Sequence, residues 1–218
     1  VRVARLFGSR HADAWFAGAL FIALTLAFTR YVGIDDPQFI GNAVAGGGLV
    51  TLAATPLTTR RIVTGGLLLV AAVFIKHNLI ALPLSCTVWL LAVDRRRGRQ
   101  LIAVGVFFGT FGAAVCLWAF GTDSFAQILS PREYHFGRAA RMVAQWLLRM
   151  SPFAAFFVVA PRERHDRALL FCGIYTATAA LVGLLLCGGV GVNSNIFFDA
   201  TWALCLSAAV TFTRVAPN

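Results

Sequence analysis

The sequence predicts an all-α fold, a polytopic integral membrane helix bundle of about eight spans, and three observations support it. Of the 218 residues, 59% are hydrophobic and 13% are charged, whereas soluble domains carry about 25% charged residues. The apolar residues form runs whose length is close to the roughly 20 residues that a membrane-spanning helix needs. The basic residues gather in alternate breaks between these runs. We therefore expect a single transmembrane domain over residues 1–218 with no soluble domain, which excludes a soluble enzyme.

Eight apolar segments are the candidate spans, in chain order 14–33, 38–57, 62–75, 79–93, 101–120, 139–160, 168–190 and 196–213. The third is short, because 14 residues reach only about 21 Å at about 1.5 Å per residue, against a hydrocarbon core of about 30 Å. We predict that the third and fourth segments form a hairpin whose turn, 75–78, lies at headgroup depth or faces a polar cavity. The small residues at 45–49 are expected to allow close helix packing.

The arginines predict the orientation of the bundle. Thirteen of the 19 basic residues fall on the side of the amino terminus, namely Arg2, Arg5, Arg10, Arg60, Arg61, Arg95, Arg96, Arg97, Arg99, Arg162, Arg164, Arg167 and Arg214. By the positive-inside rule this face and both chain ends are cytoplasmic. The net charge of +10 is then a topology signal, with membrane lipids as partners. No basic stretch is interleaved with exposed aromatics, so nucleic acid is not an expected partner.

Other common site motifs are missing from the sequence. The five cysteines lie inside apolar runs with neither CxxC nor Cys/His spacing, so neither a zinc site nor a disulfide framework is predicted. The glycine-rich stretches at 45–49 and 187–192 do not form a GxGxxG loop after a strand, which argues against a dinucleotide site.

Polar residues at the opposite, extracytoplasmic face are the candidate functional residues. Charged groups at membrane depth are costly and usually face a cavity or a partner. The candidate catalytic residues are Asp35 and Asp36, and the candidate substrate-binding residues are Lys76, His77, His135, Arg138, Asn193, Asn195 and Asp199.

Lys76 is the only lysine in a chain that has 18 arginines. A compact ammonium with rotatable donors suits a phosphate oxygen, whereas arginine presents a planar fork. The alternative is a side chain that snorkels to anchor a helix end. Both interpretations of Lys76 stay open.

Asp35 and Asp36 directly precede Pro37, a residue that favours the start of a helix. Asp36 is therefore a candidate N-cap. Adjacent carboxylates also serve as a general base or hold a divalent metal, which is the candidate cofactor here.

Two further segments carry open alternatives. His135 and Arg138 belong to a charged and aromatic stretch that fits an interfacial helix or the wall of a binding site. Asn195 precedes the last span and is a candidate N-cap as well as a candidate ligand-binding residue.

The order of these motifs resembles the polytopic GT-C glycosyltransferases, which include bacterial aminoarabinose transferases and relatives of the protein O-mannosyltransferases. Four features carry the resemblance over residues 6–203: LFGSRHADAWFAGALFIALTLAFTRYVGIDDPQ, the next span ending in Arg60 and Arg61, FIKHNLIALPLSCTVWLLAVDRRR, and GVNSNIFFDATWAL. It implies a GT-C-like transmembrane core that lacks the family's first spans. It also implies transfer of a hexose or pentose from a polyprenyl-phosphate carrier to an acceptor at the extracytoplasmic face.

In this resemblance, Lys76 matches the lysine that contacts the carrier's phosphate, and Asp35 or Asp36 matches an acidic residue of an outer loop. The segment 193–199 would form the rim of the cavity. Two other functions stay open. One is a transporter or flippase-like protein for a lipid-linked phosphate, although such proteins tend to show internal repeats and broken helices near the bilayer midplane. The other is an inactive remnant of a transferase.

Overall fold

A computed structural model of the chain describes residues 1–26, 36–123, 125–126, 133–159 and 166–215, with the backbone alone for 151–159. The described residues are helical apart from turns and one isolated β-bridge between Tyr134 and Gly189. The helices are α1 Arg2–Leu6, α2 His11–Leu26, α3 Gln38–Ala53, α4 Thr59–Ile75, α5 Ala81–Val93, α6 Arg95–Phe120, α7 Phe136–Val159, α8 Arg167–Leu186, a 3₁₀ turn Ser194–Phe197 and α9 Phe198–Val215.

Each of the eight predicted segments overlaps one of the helices α2 to α9. Three helical segments, Arg95–Phe120, Arg167–Leu186 and Ser194–Val215, are long and apolar enough to cross a membrane. Three shorter apolar helices, α2, α3 and α5, accompany them. The all-α class and the membrane character therefore agree with the sequence, whereas the count of eight spans stays a prediction.

Helix α9 lies at the centre of the bundle. Most of its residues are buried, and it packs against α2, α7 and α8. Aromatic contacts fix these neighbours: Trp146 of α7 stacks on Phe197 with ring centroids 5.2 Å apart, and Tyr175 of α8 meets Trp202 edge to face at 5.9 Å. In α6, by contrast, Gly98 and Leu101 are the buried residues, so its apolar surface faces outward, as suits contact with lipid.

Helices α3 and α4 cross closely at two glycines. A Cβ atom on Gly48 would lie 3.0 Å from the Gly65 carbonyl oxygen, and one on Gly65 would lie 2.7 Å from Cγ of Leu52. The predicted close packing at 45–49 is therefore present. It places the start of α3 beside the end of α4, where the candidate site lies.

Candidate functional site

Asp36 joins three chain segments at one end of the bundle, which we call the lysine end and define by Asp36, Lys76 and Asn195. Its Oδ1 accepts a hydrogen bond from the Gln38 amide at 2.8 Å and one from the Lys76 ammonium. Its Oδ2 accepts a bond of 3.0 Å from the Asn195 side-chain amide. One carboxylate thus ties the start of α3 to the end of α4 and to the turn before α9.

Local backbone preferences place these three side chains. Pro37 occupies the N-cap position of α3, so Asp36 lies just outside the helix and its carboxylate accepts the amide of Gln38, the first residue of α3. Lys76 is the C-cap of α4 and has left the helix for an extended conformation, with φ −152° and ψ 111°. The predicted hairpin turn at 75–78 therefore ends one helix and presents Lys76 to Asp36.

The Lys76–Asp36 ion pair is mostly withdrawn from solvent. The side chains are 17% and 11% exposed, respectively. The pairing with Asp36 favours a binding role for Lys76 over a snorkelling anchor, and both interpretations stay predictions. The cap interpretation of Asp36 holds in part, because its carboxylate accepts the Gln38 amide hydrogen bond while it also pairs with the ammonium.

A cavity of about 650 Å³ opens beside this ion pair. Polar residues form one part of its lining and aliphatic residues the other. The lining consists of Asp36, Lys76, His77, Asn78, Ile80, Tyr134, Leu185, Leu186, Gly189, Gly191, Val192, Asn193, Asn195 and Ile196. A buried cation beside an apolar wall is suited to an amphipathic anion.

The segment around Tyr134 forms one wall of the cavity. The His135 amide donates to the Gly188 carbonyl at 2.9 Å, and the Val190 amide donates to the Glu133 carbonyl at 3.0 Å. Residues 133–135 therefore pair with the loop that precedes α9 and do not form an interfacial helix. Tyr134 lines the cavity, whereas His135 and Arg138 are not among its lining residues, so the two alternatives for His135 and Arg138 stay predictions.

The predicted site residues have different positions relative to the cavity. Asp36, Lys76, His77, Asn193 and Asn195 line it. Arg138 donates to the Val192 carbonyl and so holds the lining loop from outside. His135 is exposed at the surface, with its Nε2 3.7 Å from a Glu133 carboxylate oxygen.

Two remaining residues are not among those that line the cavity. Asp199 is buried inside the bundle, and Asp35 lies outside the described residues. Asn195 is not a helix cap, because Asn193 holds the N-cap position of the 3₁₀ turn and the Asn195 amide is bonded to Asp36.

Sequence reasoning missed three contributors. These are Tyr134, which belongs to the charged and aromatic stretch around His135, and Asn78 and Gln38. Asn78 directly follows the lysine and histidine of the turn, which was a usable signal. The role of Tyr134 depends on pairing with the loop at 188–190, more than 50 residues away, and no local pattern reports such a pairing.

The candidate divalent metal finds limited support among these residues. No group of three or more His, Cys, Asp and Glu side chains is arranged to hold a metal ion within the described ranges. The site has one described carboxylate, Asp36, and it is already bonded to Lys76 and Asn195.

Comparisons with known proteins identify no relative: no protein-family model matches the chain, and neither a curated protein nor a solved structure is significantly similar to it.

Proposed function

We propose that the lysine-end cavity binds a polyprenyl-phosphate-linked sugar and that the chain forms the transmembrane core of a GT-C-like glycosyltransferase. In this proposal the cavity opens at the extracytoplasmic face of a bacterial inner membrane, and both chain ends lie in the cytoplasm. The observation that carries the proposal is the buried Lys76–Asp36–Asn195 cluster beside a large cavity.

Lys76 supplies the charge that a lipid phosphate needs. Its side chain is 17% exposed and its ammonium is paired with Asp36, so a phosphate that enters the cavity competes with a carboxylate for an existing cation. Bonds between charged donors and phosphate are stronger than neutral ones. Phosphate binding would therefore take hydrogen bonds of Lys76 away from Asp36.

The apolar part of the lining fits the carrier's isoprenoid chain. Ile80, Leu185, Leu186, Val192 and Ile196 line the same cavity as Lys76. A ligand with a phosphate at one end and a hydrocarbon chain beside it contacts both surfaces. A soluble sugar phosphate would leave the aliphatic part uncovered.

Release of Asp36 from Lys76 would provide a general base. In the transfer, the acceptor hydroxyl oxygen forms a bond to the anomeric carbon while the bond from that carbon to the phosphate oxygen breaks. Asp36 takes the hydroxyl proton, and polyprenyl phosphate leaves with the bond's electron pair. Lys76 stabilises the phosphate as it departs, an interaction that strengthens in the transition state.

The decisive experiment measures polyprenyl phosphate binding to the purified protein in lipid nanodiscs. A charge-assisted hydrogen bond contributes about 1.5–3 kcal/mol, so Lys76→Ala should weaken binding about 10- to 100-fold. Lys76→Arg should retain most of the affinity because it keeps the charge. Arg99→Ala, an exposed residue of α6, is the matched control and should bind like the parent.

Equal affinity in the parent, Lys76→Ala and Lys76→Arg would refute phosphate binding at this cavity. If binding is lost as expected, transfer is tested separately with Asp36→Asn. This variant should bind the lipid and fail to move the sugar to an acceptor.

One observation favours a second function, that of a carrier for a lipid-linked phosphate. Polar side chains continue from the cavity into the bundle at Asn42 and Asp199, both of which are buried, and transporters use buried polar groups in this way. A carrier would move the labelled lipid between the leaflets of a vesicle without release of sugar. A transferase would release polyprenyl phosphate and leave the lipid's orientation unchanged.

A further inference from the structure

Four buried polar side chains lie on the helices that extend from the lysine end: Gln38 and Asn42 on α3, Tyr175 on α8 and Asp199 on α9. Asn42 is 8% exposed and Gln38 2% exposed. Both polar side-chain atoms of Asn42, the Gln38 Oε1 and the Tyr175 hydroxyl have no hydrogen-bond partner. Buried polar groups in proteins are normally hydrogen-bonded, so this group calls for an explanation.

Asp199 is the only buried acidic side chain of this group and is 6% exposed. Among the described residues, no hydrogen bond or opposite charge stabilises its carboxylate. The Tyr175 hydroxyl lies within electrostatic range of it. An unpaired buried carboxylate costs several kcal/mol by order of magnitude, so either a proton or a compensating positive charge neutralises it.

Helix geometry places Asn42 and Asp199 at the interface between α3 and α9. Asp36 binds both Gln38 and Asn195, and Asn42 and Asp199 each follow one of these residues by four positions. Within α3 a spacing of four keeps the same helix face, about one turn or 5.4 Å deeper. Asp199 is the second residue of α9, directly after the 3₁₀ turn that carries Asn195. The side chains of Phe39 on α3 and Phe198 on α9 meet at this depth, with ring centroids 5.5 Å apart.

A second contact lies one turn beyond. A Cβ atom on Gly46 would come within 3.1 Å of Trp202, and Gly46 is four residues after Asn42. Asn42 therefore lies between two levels at which α3 touches α9. Asp199 lies between the same two levels on α9, after Phe198 and before Trp202.

From this arrangement we propose that Asp199 and Asn42 bind a monovalent alkali cation between α3 and α9, one turn deeper than the lysine-end cavity. The carboxylate of Asp199 and the amide oxygen of Asn42 are the central ligands, with the Gln38 Oε1 and the Tyr175 hydroxyl as flanking oxygens. Oxygen atoms of this kind are ligands for hard cations.

The charge of the site selects a monovalent ion. One carboxylate with neutral amide and hydroxyl oxygens gives a net charge of −1, which an ion of charge +1 neutralises. A divalent ion would leave one uncompensated positive charge inside an apolar bundle, and an unpaired buried charge is strongly unfavourable. Lys76 does not fill this role, because its ammonium is bonded to Asp36.

The test measures thermal unfolding of the full chain in detergent while Na⁺ replaces N-methylglucamine at constant ionic strength. If Kd is about 10 mM, 100 mM Na⁺ shifts the folding equilibrium about 11-fold. This shift corresponds to a Tm increase of about 3–6 °C for a chain of this size. Binding of radioactive Na⁺ should saturate at about one ion per chain, because the site has one carboxylate.

Variants assign the effect to the site. Asp199→Asn keeps the shape of the side chain and removes its charge, so the Na⁺-dependent Tm increase and the bound radioactive Na⁺ should both disappear. Ser207→Ala is the matched control. Ser207 is a buried polar residue two turns further along α9 and bonds to the Ala203 carbonyl at 2.7 Å; this variant should respond like the parent.

Three results would overturn the proposal: no effect of Na⁺ or K⁺ on the parent beyond that of N-methylglucamine, an unchanged Na⁺ response in Asp199→Asn, or a stabilisation that follows pH alone. If Asp199→Asn does not fold, Asn42→Ala replaces it, with an expected loss of Na⁺ affinity of at least about tenfold. Unchanged affinity in Asn42→Ala would equally exclude the site.

Discussion

The two ends of the bundle each contain a buried carboxylate paired with a cation, and they use it differently. At the lysine end, Asp36 pairs with Lys76 beside the cavity. At the opposite end, which we call the arginine end and define by Asp166, Arg167 and Arg214, Asp166 binds Arg214 with an N to O distance of 2.8 Å. Asp166 also accepts the amides of Ala168 and Leu169. Its carboxylate is therefore the N-cap of α8 and a link to the end of α9.

A cavity is present at both ends, so volume alone does not identify a binding site. The arginine-end cavity measures about 580 Å³, and Phe7, Trp89, Asp94 and Asp166 are among its lining residues. Its two carboxylates cap helices, because Asp94 accepts the Arg97 amide as Asp166 accepts those of α8. Asp36 also accepts a backbone amide, but its side-chain partners Asn195 and Lys76 both line the lysine-end cavity. Arg214, the side-chain partner of Asp166, is not among the residues that line the arginine-end cavity.

The largest expected effect is the loss of the lysine-end ion pair. Asp36→Ala leaves a mostly buried ammonium without its partner, which typically costs about 3–5 kcal/mol. Reversible unfolding in denaturing detergent should show this decrease in the free energy of unfolding. The double variant Asp36→Ala/Lys76→Met should recover much of it, since a buried ion pair replaced by apolar groups is often nearly neutral.

A small stability loss in Asp36→Ala, with no recovery in the double variant, would mean that the ammonium finds other partners. The expectation that the lysine-end ion pair contributes more to stability than the arginine-end ion pair would then be wrong. Arg60→Ala, an exposed change at the start of α4, serves as the control and should alter stability by less than about 0.5 kcal/mol.

The sequence allowed the lysine end to be predicted in part. Lys76 was identified because it is the only lysine, and Asp36 because it precedes a proline. Asn195 was noticed as a polar residue before an apolar run, but its bond to Asp36 spans 159 positions. Periodicity and capping patterns indicate contacts between residues within one or two helical turns. They therefore cannot predict a hydrogen bond between residues so far apart in the chain.

The arginine end was interpreted from the sequence only as a topology signal. Arg214 was counted among cytoplasmic charges, yet it bonds both Asp166 and the Phe7 carbonyl. No sequence pattern indicates that Phe7, Trp89 and Phe171 form an aromatic cluster. The all-α fold class could be predicted from the composition and from the length of the apolar runs. These aromatic contacts, by contrast, depend on how α1, α5 and α8 pack together.

An intermediate effect is expected at the arginine end. Arg214→Ala removes the partner of Asp166, but Arg214 is 28% exposed and two backbone amides still bind the carboxylate. We expect the free energy of unfolding to fall by about 1–2 kcal/mol, less than for Asp36→Ala. Polyprenyl phosphate binding should stay at the parental level in this variant. A weakened affinity would show that the two ends are coupled.

The smallest effect is a pH dependence that belongs to the arginine end. Burial by itself would raise the pKa of Asp166, but the hydrogen bond from Arg214, the two backbone amides and the arginine's charge together lower it. Because the folded-state pKa lies below the unfolded value of about 3.9, the charged form stabilises the folded protein at higher pH. This contribution is complete above the unfolded pKa and is lost as the pH falls through the folded-state pKa.

The difference in unfolding free energy between the parent and Asp166→Asn should therefore stay constant from pH 8 to about pH 5 and shrink only below about pH 4. Denaturation profiles at several pH values measure it directly. A difference that changed between pH 6 and 8 would be inconsistent with a lowered carboxylate pKa. It would place the titrating group elsewhere and remove Asp166 as the acid-sensitive contact of the arginine end.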